Sequence, residues 1–214
     1  QTGKLNTQSI AEESLKTAQL VVEQSRLALE NRIQSATQAE NDAETNSSVV
    51  VENALNACQA VLVGINNITG FDENNSVSVP YDYYLGFYSQ VRTDAKLQYR
   101  DIKSALEKIN SVRPSDDSDR IQRILLISQQ IRDLSDKIKY LLDNHTVTGS
   151  LLPLTSPTGP SLSAFQSAVA GYQAQINGAI AQLNGAKQSL ENVALGNQTT
   201  LDALQKAYDL SLQN

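Results

Sequence analysis

The chain of 214 residues contains no Met, no Trp, one Cys (Cys58) and one His (His145). A single cysteine excludes an intrachain disulfide. A lone histidine in a polar loop argues against both a histidine metal centre and a catalytic triad, since each needs partner groups. Positive charge is also scarce: 17 Lys and Arg stand against 23 Asp and Glu, for a formal charge of -6. That balance argues against nucleic-acid binding, which depends on concentrated Lys and Arg. Aromatic residues make up 5% of the chain, 8 Tyr and 3 Phe, so alanine and leucine have to do most of the packing. No run of 18 consecutive apolar residues offers itself as a bilayer span, and direct membrane insertion by this segment is not expected. The chain opens on Gln1 with no signal-peptide pattern, and it reads as a segment of a longer protein.

Heptads dominate what is present. Near the end of the chain, Leu162, Phe165, Val169, Tyr172, Ile176, Ala179, Leu183, Ala186, Leu190 and Val193 alternate at spacings of three and four. This is the signature of a coiled-coil seam. The same frame places Asn197, Thr200, Leu204 and Ala207 in the core, predicting a helix from about Ser161 to Ser211 with a softer polar layer. At the front, Leu15, Val22, Leu29, Ala36, Ala43, Val50 and Ala57 recur every seven residues, with Ala11, Ala18, Ala39 and Ala60 on a companion row. Ser9 and Glu12 form a candidate capping box. Neither Gly nor Pro interrupts Leu5 to Val63, which allows one helix of roughly 85 to 90 Å at about 1.5 Å per residue.

Two shorter helical patterns lie between. Tyr84, Tyr88, Val91, Ala95, Ile102, Ala105, Ile109 and Val112 carry the first; Ile124, Ile127, Ile131, Leu134, Ile138 and Leu141 carry the second. The short connection from Arg113 to Ser118 ends one helix at Pro114 and caps the next, so the pair should be antiparallel. Asn66 to Pro80 and His145 to Pro160 are loops by composition. The expected fold is all-α: an elongated antiparallel coiled-coil hairpin with an inserted shorter antiparallel helical pair, four helices in all. The expected organisation is one domain, with an outgoing long helix over 1–65, the inserted pair with flanking loops over 66–160, and a returning long helix over 161–214.

Candidate functional residues are few. Gly171, Gly178 and Gly185 lie seven apart on one stripe of the last helix. Glycine inside a helix costs about 1 kcal/mol relative to alanine, so the stripe points to close approach by a helix or by a second protomer. Tyr81, Tyr83, Tyr84, Phe87 and Tyr88 cluster just after Phe71, which suits either an interface or a plug anchoring the second helix to the hairpin. Cys58 is expected to be a small, partly buried side chain. The run from Ser115 to Asp119 lacks the glycine and distal Glu of a calcium loop and reads as helix capping. The carboxylate pairs Glu12 with Glu13, Asp72 with Glu73, and Asp116 with Asp117 fall in solvated positions unsuited to acid–base work. Sequons begin at Asn46, Asn67, Asn74, Asn144 and Asn197, a number that a chain rich in Asn, Ser and Thr produces by chance. No catalytic, metal or cofactor residue is assigned, and an enzyme is not expected.

The segments LKTAQLVVEQSRLALEN (Leu15 to Asn31) and YQAQINGAIAQLNGAKQSLEN (Tyr172 to Asn192) resemble the Ala, Gln and Leu heptads of the α-helical hairpin in periplasmic adaptor proteins. These are the membrane fusion proteins of efflux pumps, ABC exporters and HlyD-like secretion systems. The resemblance covers about half the chain. It does not extend to the tip motif of Arg, Leu and Ser that docks an outer-membrane channel, nor to the lipoyl and barrel domains that contact the transporter. It implies a non-enzymatic spacer and assembly element on the outer side of the cytoplasmic membrane. Self-association in the full-length protein, and an inner-membrane transporter reached through other domains of a membrane-anchored parent, follow from the same resemblance. The competing readings are an extracytoplasmic helical-bundle sensor domain of a chemoreceptor or kinase, then a surface or phage fibre segment.

Overall fold

The computed structural model describes residues 2–72, 90–111, 117–144 and 162–213. These form four helices: α1 (Thr2–Thr69), α2 (Gln90–Ser111), α3 (Asp117–Asp143) and α4 (Leu162–Gln213). The fold is all-α, as the heptads require. α1 runs past its expected end at residue 65 to Thr69, whereas α4 lies within its expected 161–214; α1 also begins before Ser9, so Ser9 lies within the helix and does not cap it. Its true end is at Gly70, whose φ of 61° is the left-handed turn that glycine takes after a helix. There the Gly70 amide donates to the Asn66 carbonyl at 2.7 Å, and the Asp72 amide donates to Asn66 Oδ1 at 2.8 Å.

The chain divides into two compact units whose boundaries cut across both long helices and not through the loops. Unit 1 joins residues 1–45 to 188–214; unit 2 is continuous over 46–187. In unit 1 the inward row of α1 is Val22, Ser25, Leu29, Arg32, Ala36, Ala39 and Ala43, in the heptad frame that the sequence predicts. Leu15 shares that frame yet is 60% exposed.

Unit 2 has the larger core. Here α1 buries Val51, Ala54, Leu55, Cys58, Val61, Leu62, Ile65 and Ile68, a broad face that serves three other helices. The expected core positions Val50 and Ala57 are only half-buried and Ala60 is exposed, because the buried row passes through Val51 and Cys58. Physically, a helix inside a bundle presents a wider apolar arc than a helix with one partner. On α3, Ile121, Ile124, Ile131, Leu134, Ile138, Leu141 and Leu142 are all fully buried. Opposite them α2 supplies Ala95, Tyr99, Ile102 and Leu106. The two inner helices pack together, and Gln98 of α2 bridges them by donating to the Gln130 carbonyl at 2.9 Å and accepting from Lys137 Nζ at 2.6 Å.

α1 is long and apolar enough, at a mean hydropathy of 1.4 in its best window, to match a membrane span by length and composition, and 44% of that window is buried. Its apolar side chains include the Val51 to Ile65 set that forms the core of unit 2.

Candidate functional site

The two long helices are tied together by one distinctive contact in each unit. In unit 1 the contact is polar. Asn197 of α4 is buried, and its Nδ2 donates to the Ala36 carbonyl at 3.0 Å and to Glu40 Oε1 at 3.1 Å. Its Oδ1 accepts from Arg32 Nη2 at 3.2 Å. A buried, satisfied Asn in an otherwise small-residue seam fixes register, because any slip leaves its amide unpaired in a low-dielectric layer. The predicted polar layer is therefore present at Asn197. At Thr200 it is not: that residue is exposed, and its hydroxyl donates to the Gly196 carbonyl. Beyond Asn197 the inward row is Leu201, Leu204, Tyr208 and Ser211: Leu204 lies where the heptad places it, whereas Leu201 and Tyr208 replace Thr200 and Ala207, which are exposed. The spacing Val193, Asn197, Leu201 contains two successive steps of four, which locally unwinds a coiled coil.

In unit 2 the contact is steric. Tyr172 of α4 lies against Gly64 of α1 so closely that a Cβ at residue 64 would stand 2.7 Å from Tyr172 Cε1, and nearer still to Cζ and Oη. With the ring in this position a side chain at residue 64 has no room. Sequence reasoning placed close approach at Gly171, Gly178 and Gly185; in the chain itself a Cβ at any of the three meets nothing within 4 Å. Within the chain the close approach is therefore at Gly64 and not at that stripe.

The outer face of α4 is correspondingly open. Ser167, Gly171, Ala174, Gly178, Ala181 and Gly185 are all exposed at alternating spacings of four and three. No charged residue occurs from Leu162 to Ala186. By contrast, one flank of α1 in unit 1 is charged: Arg26 binds both Glu23, at 2.7 Å, and Glu30. Arg26 holds the Glu23 carboxyl below the usual carboxylate range, and the pair of acids raises Arg26 in turn.

A cleft edged by an ion pair lies where α1 ends. Asp72 pairs with Lys103, whose pKa the Asp72 hydrogen bond raises. Tyr99 is buried beneath them, its ring edge-on to Phe71 at 6.0 Å, and burial together with the Asp72 charge pushes its hydroxyl upward. Leu62, Val63, Leu106, Tyr99, Asn66 and the Asp72–Lys103 pair line a mostly apolar cavity of about 200 Å³, below the usual volume for drug-sized ligands. Phe71 thus acts as an anchor on α2. The aromatics Tyr81, Tyr83, Tyr84, Phe87 and Tyr88, and also His145, lie outside the described residues.

Cys58 is fully buried, more so than expected. The Ser128 hydroxyl donates to the Ile124 carbonyl at 2.8 Å, so its oxygen is left to accept from the Cys58 thiol at 3.3 Å. Burial pushes that thiol's pKa up, which suppresses the reactive thiolate.

Comparison with protein-family models, with curated proteins and with solved structures finds no match to this chain.

Proposed function

We propose that this chain is a non-enzymatic structural hairpin, the spacer and assembly element of a membrane fusion or adaptor protein in a transport or efflux assembly outside the cytoplasmic membrane. The observation that carries this reading is the pairing of α1 with α4. In unit 2, Glu52 and Cys58 of α1 meet Arg120 and Ser128 of α3, and Asp136 and Asp143 of α3 meet Gln173 and Gln166 of α4, so α1 and α4 run antiparallel there. In unit 1, residue 36 is level with residue 197 while Ser211 lies by Ser14 and Thr17, which gives the same sense. A glycine contact and a buried amide set their registers, and alanine-rich seams permit close packing. The outer face of α4 from Leu162 to Ala186, which carries no charge, suits contact with a second protomer. The transporter would be engaged through other parts of a membrane-anchored parent.

Small-angle X-ray scattering on the chain, with light scattering for mass, tests the spacer. A maximum dimension of about 90 Å or more, the length of some 60 helical residues, is the expected result. A much shorter particle would overturn the spacer and favour a helical-bundle sensor, for which the cleft at Asp72 and Lys103 would become the first place to look for a ligand.

A further inference from the structure

We infer that unit 2 self-associates through its two long helices, with Val49, Asn56 and Val63 of one copy set against Gly185, Gly178 and Gly171 of a second. The inference deepens the assembly role proposed above and rests on it.

A row of glycines alone says nothing about what covers it. The second observation is on α1, where Val49 and Val63 are 56% and 58% exposed and Asn56 between them is also exposed. These three residues are seven apart, as the glycines are. Tyr172 against Gly64 fixes the levels of the two rows. Val63 is one residue from Gly64 and Gly171 one from Tyr172, so the two are level to within about one helical turn. Because the helices are antiparallel, seven residues back along α1 and seven forward along α4 preserve that match, pairing Asn56 with Gly178 and Val49 with Gly185. A two-fold axis along the helix pair brings α1 of one copy onto α4 of the other without changing level, and the contact is made twice.

Projecting side chains on one row therefore meet missing side chains on the other, at the same period and the same heights. Both halves of the fit belong to this chain, which is the argument for a second copy and not for an unrelated partner. Charge agrees. A chain of formal charge -6 meets itself at least electrostatic cost where carboxylates are few or paired. From Leu162 to Ala186 α4 carries none, and between Val49 and Val63 the single acid, Glu52, is paired with Arg120. The glycines also cost helix stability with no packing return inside the chain, a cost that the contact explains.

Sedimentation of the full chain and of Gly178→Leu tests the inference. The native chain should self-associate, and Gly178→Leu should weaken association about tenfold or more while melting no lower than the native chain. Disulfide trapping then checks the register: Val63→Cys mixed with Gly171→Cys should cross-link under mild oxidation, and Val63→Cys mixed with Gly185→Cys should not. Cys58 is fully buried and does not compete. A native chain that stays monomeric, an unaffected Gly178→Leu variant, or equal cross-linking of both mixtures would overturn the contact. An extended but monomeric chain removes this contact and leaves the spacer standing. A compact chain that cross-links in the stated register keeps the contact and removes the spacer.

Discussion

The ring of Tyr172 in α4 occupies the space where Gly64 of α1 has no side chain, and this contact sets how closely the two helices approach in unit 2. Its consequence is a reversal of the usual glycine rule. Replacing a helical glycine by alanine ordinarily stabilises by up to about 1 kcal/mol. At Gly64 the added methyl overlaps the half-buried ring of Tyr172, so Gly64→Ala should destabilise by about 1–3 kcal/mol. Gly171→Ala, in open space, should raise the stability of the isolated chain. Urea unfolding of the two variants checks both signs, and a Gly64→Ala variant as stable as the native chain would show that the ring moves aside at no cost.

Leu183 and its neighbour Gln182 separate the seam from the surface of α4. Leu183 is fully buried, whereas Gln182 is exposed. Leu183→Asp places a carboxylate without a partner in an apolar layer and should cost about 3 kcal/mol or more. Gln182→Asp should stay within about 0.5 kcal/mol of the native chain. Equal melting temperatures for the two would refute the heptad frame through this part of α4.

The frame itself was legible wherever one helix faces one partner. From Val22 to Ala43, and from Phe165 to Val193, three-and-four spacing finds the inward rows. It misplaces Val50 and Ala57 because in unit 2 α1 must satisfy α2, α3 and α4 at once, and the arc it buries is centred on Val51, Cys58 and Ile65. It misplaces Thr200 because an extra step of four at Asn197 leaves no trace in a pattern where Thr, Leu and Ala are all acceptable neighbours. Close packing at Gly64 was hidden for another reason. Seven-residue repetition singles out Gly171, Gly178 and Gly185, whereas a lone glycine near a helix end looks like a terminator.

Cys58 predicts how stability responds to alkali. Burial raises its pKa above the usual 9.0, so in the unfolded chain the thiol ionises first. Its contribution is fully present below about pH 9 and is lost as the pH rises through the folded-state value. Tyr99, raised in the same direction, adds to the decline at higher pH. Unfolding free energy should therefore fall from about pH 9 upward, and Cys58→Ala should flatten the first part of that fall. The native thiol should also react with a disulfide reagent only as fast as the bundle opens. Rapid, stoichiometric labelling of the folded chain would contradict the burial that both expectations share.

Asn197 allows the polar layer of unit 1 to be tested against the simpler heptad. Removing its amide in Asn197→Ala deletes the acceptor for Arg32 and the donor to Glu40 and the Ala36 carbonyl, an expected loss of about 1–2 kcal/mol. Thr200→Ala changes an exposed residue and should be neutral to within about 0.5 kcal/mol, while Leu201→Ala, on the inward row, should cost more than Thr200→Ala does. Denaturant titrations of the three variants distinguish the two frames. An unbroken heptad requires Thr200 to matter and Leu201 not to, and that order of effects would place Asn197 on a regular seam with no local unwinding around it.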